Sequence, residues 1–364
     1  MIKQYNFQAD FIRAVAIIFV IGIHLVIPIT PRPDFFGGTI WWFTFLLNGL
    51  FRISIPLFII LSGYLNLGKP TTINQNLNRV IQRLLIPLVA YYIIFNIAYA
   101  TMTHLRSEQY DYWEIFHNLS KNTHSILYFL VILAFIRLLN PLWNLLTDPK
   151  NKAILKYICY FFLGLSTVAF FFYYLSLRVG EVFGTYTYWM LWVGYYLYGY
   201  IVKTKPALLS KAEKAFYWTM FISGYILTIG FGYITLWLFH HNISDLFYIG
   251  GQTYADGYLS ISIIMMTISA FNLLMRSGGI EKIGSIWVKK PVMFIAGLSF
   301  AMYLNHLLVI DTLSKFYGVT PDSPSMPGLG GYLLISTFLT FSITIPLAFI
   351  IHKTPYLRKI VGEK

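Results

Sequence analysis

The chain has 364 residues, of which 57% are apolar and 11% charged, where a soluble domain carries roughly a quarter charged residues. That composition excludes a soluble globular protein, and the single cysteine, Cys159, excludes a disulfide framework or a cysteine-based metal site. The formal charge of +13 does not point to nucleic acid, because the basic residues form no patch but punctuate the apolar runs, which is a topology signal.

A membrane helix needs about 20 mostly apolar residues. Runs of that kind fall, in chain order, near 11–29, 41–65, 80–100, 124–143, 154–175, 184–202, 216–239, 257–275, 291–311 and 331–352. No small-residue cleavage site follows the first run, so it reads as a retained helix rather than a signal peptide. The longest stretches between runs, about 101–123, 240–256 and 312–330, are too short for a separate soluble domain. The expectation is therefore an all-α integral membrane protein of about ten transmembrane helices, with 1–364 as a single polytopic domain. With the N-terminus placed in the cytoplasm, 21 of the 27 Lys and Arg lie on the inner side. Five lie outside (Arg32, Arg106, Lys121, Arg178 and Lys315), and Arg52 lies within a span. This contrast supports the even count and predicts that both termini are cytoplasmic.

Ionisable groups inside spans are costly and point by default to function. The first run reads Asp10-Phe-Ile-Arg13 and continues to His24. Eleven residues make about three helical turns, so Arg13 and His24 project from nearly one face, about 16 Å apart along the axis. Arg13 stands at the cytoplasmic rim, where a guanidinium can bind phosphate. His24 lies past the midplane as a proton acceptor, and Asp10 is spaced to hold Arg13. The alternative for each residue alone is an interface anchor for Arg13 and a helix-to-helix hydrogen bond for His24.

Asp10-x-x-Arg13-Ala-x-Ala…Val20-x-x-x-His24 resembles the opening helix of the acyltransferase-3 family of membrane acyltransferases, marked by an Arg and a His with ten residues between them. Three further stretches resemble that family in the same order. They are Arg52-Ile-Ser-Ile-Pro56 through Ser62-Gly63-Tyr64, then Arg79 and Arg83 before Pro87, then Tyr303-Leu-Asn-His306. The arginines are four apart where the family often has three. Tyr128-Phe129 stands where it often has Trp-Phe, and the appended hydrolase-like domain of some members is not expected here.

The resemblance implies transfer of an acyl group, usually acetyl from acetyl-CoA, to a hydroxyl of an envelope carbohydrate or glycolipid in the cell membrane. It implies Arg13, Arg79 and Arg83 as phosphate-binding residues on the cytoplasmic side. His24 is then the expected general base. Tyr303 and His306 are expected to orient the reaction or donate to the oxyanion. Arg52, an expensive charge in mid-span, should face a cavity and bind an acid, a carbonyl or part of the cofactor, or else sit at a helix break bonded to carbonyls. Ser62 and Gly63 are expected to let a helix or the cofactor approach closely, and Ser62 is counted with the cofactor-binding residues. Outer aromatics and acids (Tyr110, Tyr112, Trp113, Glu114 and Glu181) suit an acceptor sugar. No metal is expected, since adjacent His240 and His241 diverge on a helix and no HExxH is present. The competing reading is an exporter of polysaccharide or lipid-linked sugar. It is weakened by the lack of a visible internal repeat.

Overall fold

The computed structural model describes residues 6–105, 127–176, 187–280, 282–283 and 285–362. In lipid every backbone polar group must be satisfied within its own segment, so apolar runs become helices. Eight segments among the described residues are long and apolar enough to cross a membrane: Phe7–Val26, Thr39–Asn66, Ile73–Leu105, Pro149–Leu175, Lys211–His240, Tyr254–Arg276, Ile286–Tyr317 and Gly328–Lys353. The two other runs are shorter where described. The run near 124–143 contains Tyr128–Leu138, and the run near 184–202 contains a 3-10 segment, Tyr188–Trp192, leading into Val193–Lys203.

The helices are α1 (Phe7–Val26), α2 (Thr39–Phe51), α3 (Ser54–Asn66), α4 (Ile73–Val80), α5 (Ile86–Leu105), α6 (Tyr128–Leu138) and α7 (Asn140–Leu145). They continue with α8 (Lys152–Ser176), α9 (Val193–Lys203), α10 (Lys211–His240), α11 (Ile261–Arg276), α12 (Ile286–Tyr317), α13 (Gly328–Lys353) and α14 (Pro355–Ile360). Proline sets the interruptions, because its ring removes a donor and crowds the carbonyl four residues earlier. Pro56 separates α2 from α3 at Arg52, and Pro87 follows a π-helical turn, Ile81–Leu85. Pro141 leaves the Arg137 carbonyl without its helical donor at the end of α6, and the Asn76 amide donates to that carbonyl at 2.9 Å instead.

The described residues fall into two compact units. The first lies within Met1–Lys69, Trp143–Val182 and Met190–Ser299. In it α3 packs closely on α9. A Cβ on Gly63 would stand 1.8 Å from the Tyr196 carbonyl oxygen, and one on Gly199 would stand 2.1 Å from that of Ile60. Glycine is therefore required on both sides, since the two backbones touch. Helix α1 packs on α2, α3 and α11, while α10 packs on α11 and α2. Strands β1 (Tyr248–Ile249) and β2 (Gln252–Thr253) pair antiparallel with Tyr248 opposite Thr253. Their two-residue turn needs positive φ at both positions, which Gly250 and Gly251 supply at 55° and 82°. The hairpin runs into a 3-10 turn, Tyr254–Asp256, packed on α10.

The second unit lies within Pro70–Leu142, Phe183–Trp189 and Phe300–Lys364, so the division falls inside α12. Here α4 packs on α6, and α14 packs on α5. The Asn305 amide donates to the Tyr91 hydroxyl at 2.8 Å, and the Tyr99 hydroxyl bonds Asp311, which ties α12 to α5.

Candidate active site

In the first unit the Asn6 side chain caps α1 by accepting from the Ala9 amide at 2.9 Å. Asp10 holds the Arg13 guanidinium at 2.6 Å, and the Arg13 side chain keeps 36% of its exposure. An arginine held on one edge and open on the other can still take an anion on its remaining donors. His24 is half-buried in the last turn of α1, on the Arg13 face. Between them the helix buries Ile17, Val20 and Ile21. Gly22 lets α2 approach, for a Cβ there would stand 2.5 Å from the Phe51 ring. That contact lies two residues from His24 and one residue from Arg52.

Arg52 is 3% exposed and sits at the break that Pro56 makes between α2 and α3. Its guanidinium carbon lies 5.8 Å from the Tyr258 ring centroid, in cation–π range. The Tyr258 carbonyl accepts from the Tyr195 hydroxyl at 2.7 Å, which ties the backbone at Tyr258 to α9. One turn before Arg52, Asn48 is 2% exposed, and its amide donates to Asp256 Oδ1 at 3.2 Å. Asp256 is itself 6% exposed, and its Oδ2 accepts from the Thr253 hydroxyl at 2.9 Å. The structure thus brings a buried acid to Asn48, one turn from Arg52, from just outside the spans read in the sequence. Asp256, Asn48 and Thr253 were not singled out by the sequence reading, although Thr253-x-x-Asp256 has the spacing of a helix-capping pair. Ser62 lies on α3, and its hydroxyl accepts from Asn66 Nδ2 at 3.3 Å.

In the second unit Arg79 ends α4 and Arg83 sits in the π-helical turn, both exposed. A Cβ on Gly362 would stand 2.7 Å from the Arg83 Cα, so the chain after α14 closes on that turn. On α12 Tyr303 is buried against Phe129, with ring centroids 5.3 Å apart. His306 is fully buried, with Nδ1 2.7 Å from the Tyr303 carbonyl oxygen. A carbonyl only accepts, so Nδ1 carries the hydrogen and the neutral ring presents Nε2 as an acceptor. The neutral ring is therefore suited to orient a donor. Donation to an oxyanion falls to the Tyr303 phenol or to an imidazolium. The outer residues Tyr110, Tyr112, Trp113, Glu114 and Glu181 lie outside the described residues.

A scan against protein-family models matches residues 6–352, nearly the whole chain, to the acyltransferase-3 acyltransferase domain. The chain belongs to the acyltransferase-3 family. It is a membrane acyltransferase, and both constellations lie inside the matched region. No match was found among curated proteins or among solved structures. No group of three His, Cys, Asp or Glu placed to hold a metal occurs among the described residues of this acyltransferase.

Proposed function

We propose that this acyltransferase moves an acetyl group from cytoplasmic acetyl-CoA to a hydroxyl of an envelope carbohydrate or glycolipid in the cell membrane, with both termini cytoplasmic. The observation that carries the reading is the single helix α1, with an ion-paired but open arginine in its early turns and a half-buried histidine on the same face in its last. Arg13 binds a donor phosphate through the guanidinium edge that Asp10 leaves open. The thin pantetheine arm follows the face of α1 towards His24. Neutral His24 removes the proton from the acceptor hydroxyl, and the oxygen attacks the thioester carbonyl. The tetrahedral oxyanion then collapses, forming the ester and expelling the CoA thiolate, which takes the proton back from the His24 imidazolium.

For the second unit we assign Arg79 and Arg83 to donor phosphate, and Tyr303 and His306 to orientation and oxyanion donation. We likewise assign Ser62 to the cofactor arm, as a small side chain that permits close approach. General-base help contributes about 10²–10⁴-fold. His24→Ala is accordingly expected to lower label transfer from radiolabelled acetyl-CoA to envelope fractions by that factor. Near-normal turnover in the variant overturns the assignment of His24.

A further inference from the structure

The polar cluster at the break between α2 and α3 has two atoms whose chemistry selects a ligand. Arg52 Nε and Asn48 Oδ1 are both buried and have no hydrogen-bond partner among the described residues. They lie one helical turn apart on the same face. The orientation of the Asn48 amide follows from chemistry, because a carboxylate such as Asp256 accepts, so the NH₂ must face it and Oδ1 must point elsewhere. The site therefore offers one donor and one acceptor side by side, with the Asp256 carboxylate behind and the Tyr258 ring at the flank. Buried polar atoms of this kind are costly unless a partner satisfies them.

A phosphate or carboxylate would satisfy Arg52, but its oxygens only accept. It would set lone pairs against Asn48 Oδ1 and a second negative charge beside Asp256. A thioester carbonyl has the same defect at Asn48. A hydroxyl accepts from Nε–H and donates to Oδ1 at once, and an aromatic flank suits the apolar face of a sugar ring.

We propose that Arg52 and Asn48, backed by Asp256, form a binding subsite for a hydroxyl group of a polyol acceptor. This rests on the reading of the protein as a transferase to a hydroxyl, and it assigns Arg52 to the acceptor rather than to coenzyme A. The Gly22–Phe51 contact supports the placement, since it brings the chain beside Arg52 against the chain beside His24 within one unit.

The test uses the full chain in lipid nanodiscs, comparing wild type with Arg52→Lys, Asn48→Ser and Arg13→Gln. Arg52→Lys keeps the buried charge and removes Nε–H, and a thermal melt on each variant confirms folding. In acetyl transfer to envelope fractions, Arg52→Lys and Asn48→Ser should raise the acceptor concentration for half-maximal rate about tenfold, one lost hydrogen bond's worth. Half-saturation by acetyl-CoA should stay within about twofold of wild type, on the same scale, whereas Arg13→Gln should shift the donor term. A donor shift in the Arg52 and Asn48 variants, or no shift in either term, overturns the proposal. If wild type transfers no acetyl label, the donor reading has failed, and the subsite is judged on heat protection by glucose, galactose and N-acetylglucosamine. Protection of wild type by any of these sugars that is lost in both variants supports the subsite. Absence of protection, or protection retained in the variants, overturns it.

Discussion

Arg13 and Arg52 belong to the same unit and to helices that pack together, yet they are held by opposite means. Arg13 stands near the start of α1, partly exposed, and its acid is three residues away on the same helix. Arg52 is buried at a helix break, and its neighbour Asn48, one turn earlier, donates an amide hydrogen bond to Asp256 in the 3-10 turn after the hairpin, 208 positions along the chain. The first arrangement is local, solvated and cheap to form, so it leaves a cation free to meet a ligand. The second must be assembled by the whole unit, because the acid that meets its polar neighbour Asn48 comes from a distant part of the chain.

The largest expected effect lies in the buried arrangement. Asp256→Leu strands two buried donors, the Asn48 amide and the Thr253 hydroxyl, at about 1–3 kcal/mol each, so it should destabilise the unit by about 3–5 kcal/mol. Removing the donor as well, as in the Asn48→Leu/Asp256→Leu double variant, should recover part of that loss. Strictly additive losses in denaturant titrations of nanodisc protein would break the comparison.

Next comes the packing that holds the broken helix in place. Gly63→Ala drives a methyl into the Tyr196 carbonyl and should cost about 3 kcal/mol, read as a lowered melting temperature. Pro56→Ala restores the donor to the Arg52 carbonyl and straightens α2 into α3. It should lower acyl transfer about 10²-fold through misplacement of Arg52, while the melting temperature changes little. Unchanged transfer would show that the break does not position the site. The smallest effect belongs to the local pair. Asp10→Asn should cost less than about 1 kcal/mol in the same melts, as half-exposed ion pairs do.

The same contrast explains what could be read in advance. The Asp10–Arg13 pair and the shared face of Arg13 and His24 follow from spacing on one helix, and both are present. The two fates open to Arg52 were a cavity and a helix break. The break exists, and Pro56 marks it in plain sight. Asp256 was passed over because it lies just before its span, and nothing local links Thr253-x-x-Asp256 to Asn48. The polar bonds of α12 to α5, Asn305 to Tyr91 and Asp311 to Tyr99, were missed for the same reason.

The sequence by itself determined the class of molecule. Apolar runs of bilayer length leave the backbone no option but helix. Short-range spacing likewise set the cap, the ion pair and the Arg–His face of α1. The tertiary structure alone decided which glycines bring two backbones into contact, which amide takes over a carbonyl freed by proline, and which acid bonds the amide one turn from the buried arginine. Those outcomes depend on contacts between residues far apart in the chain. Hydropathy fixes how deep a residue lies, but only packing fixes what it faces.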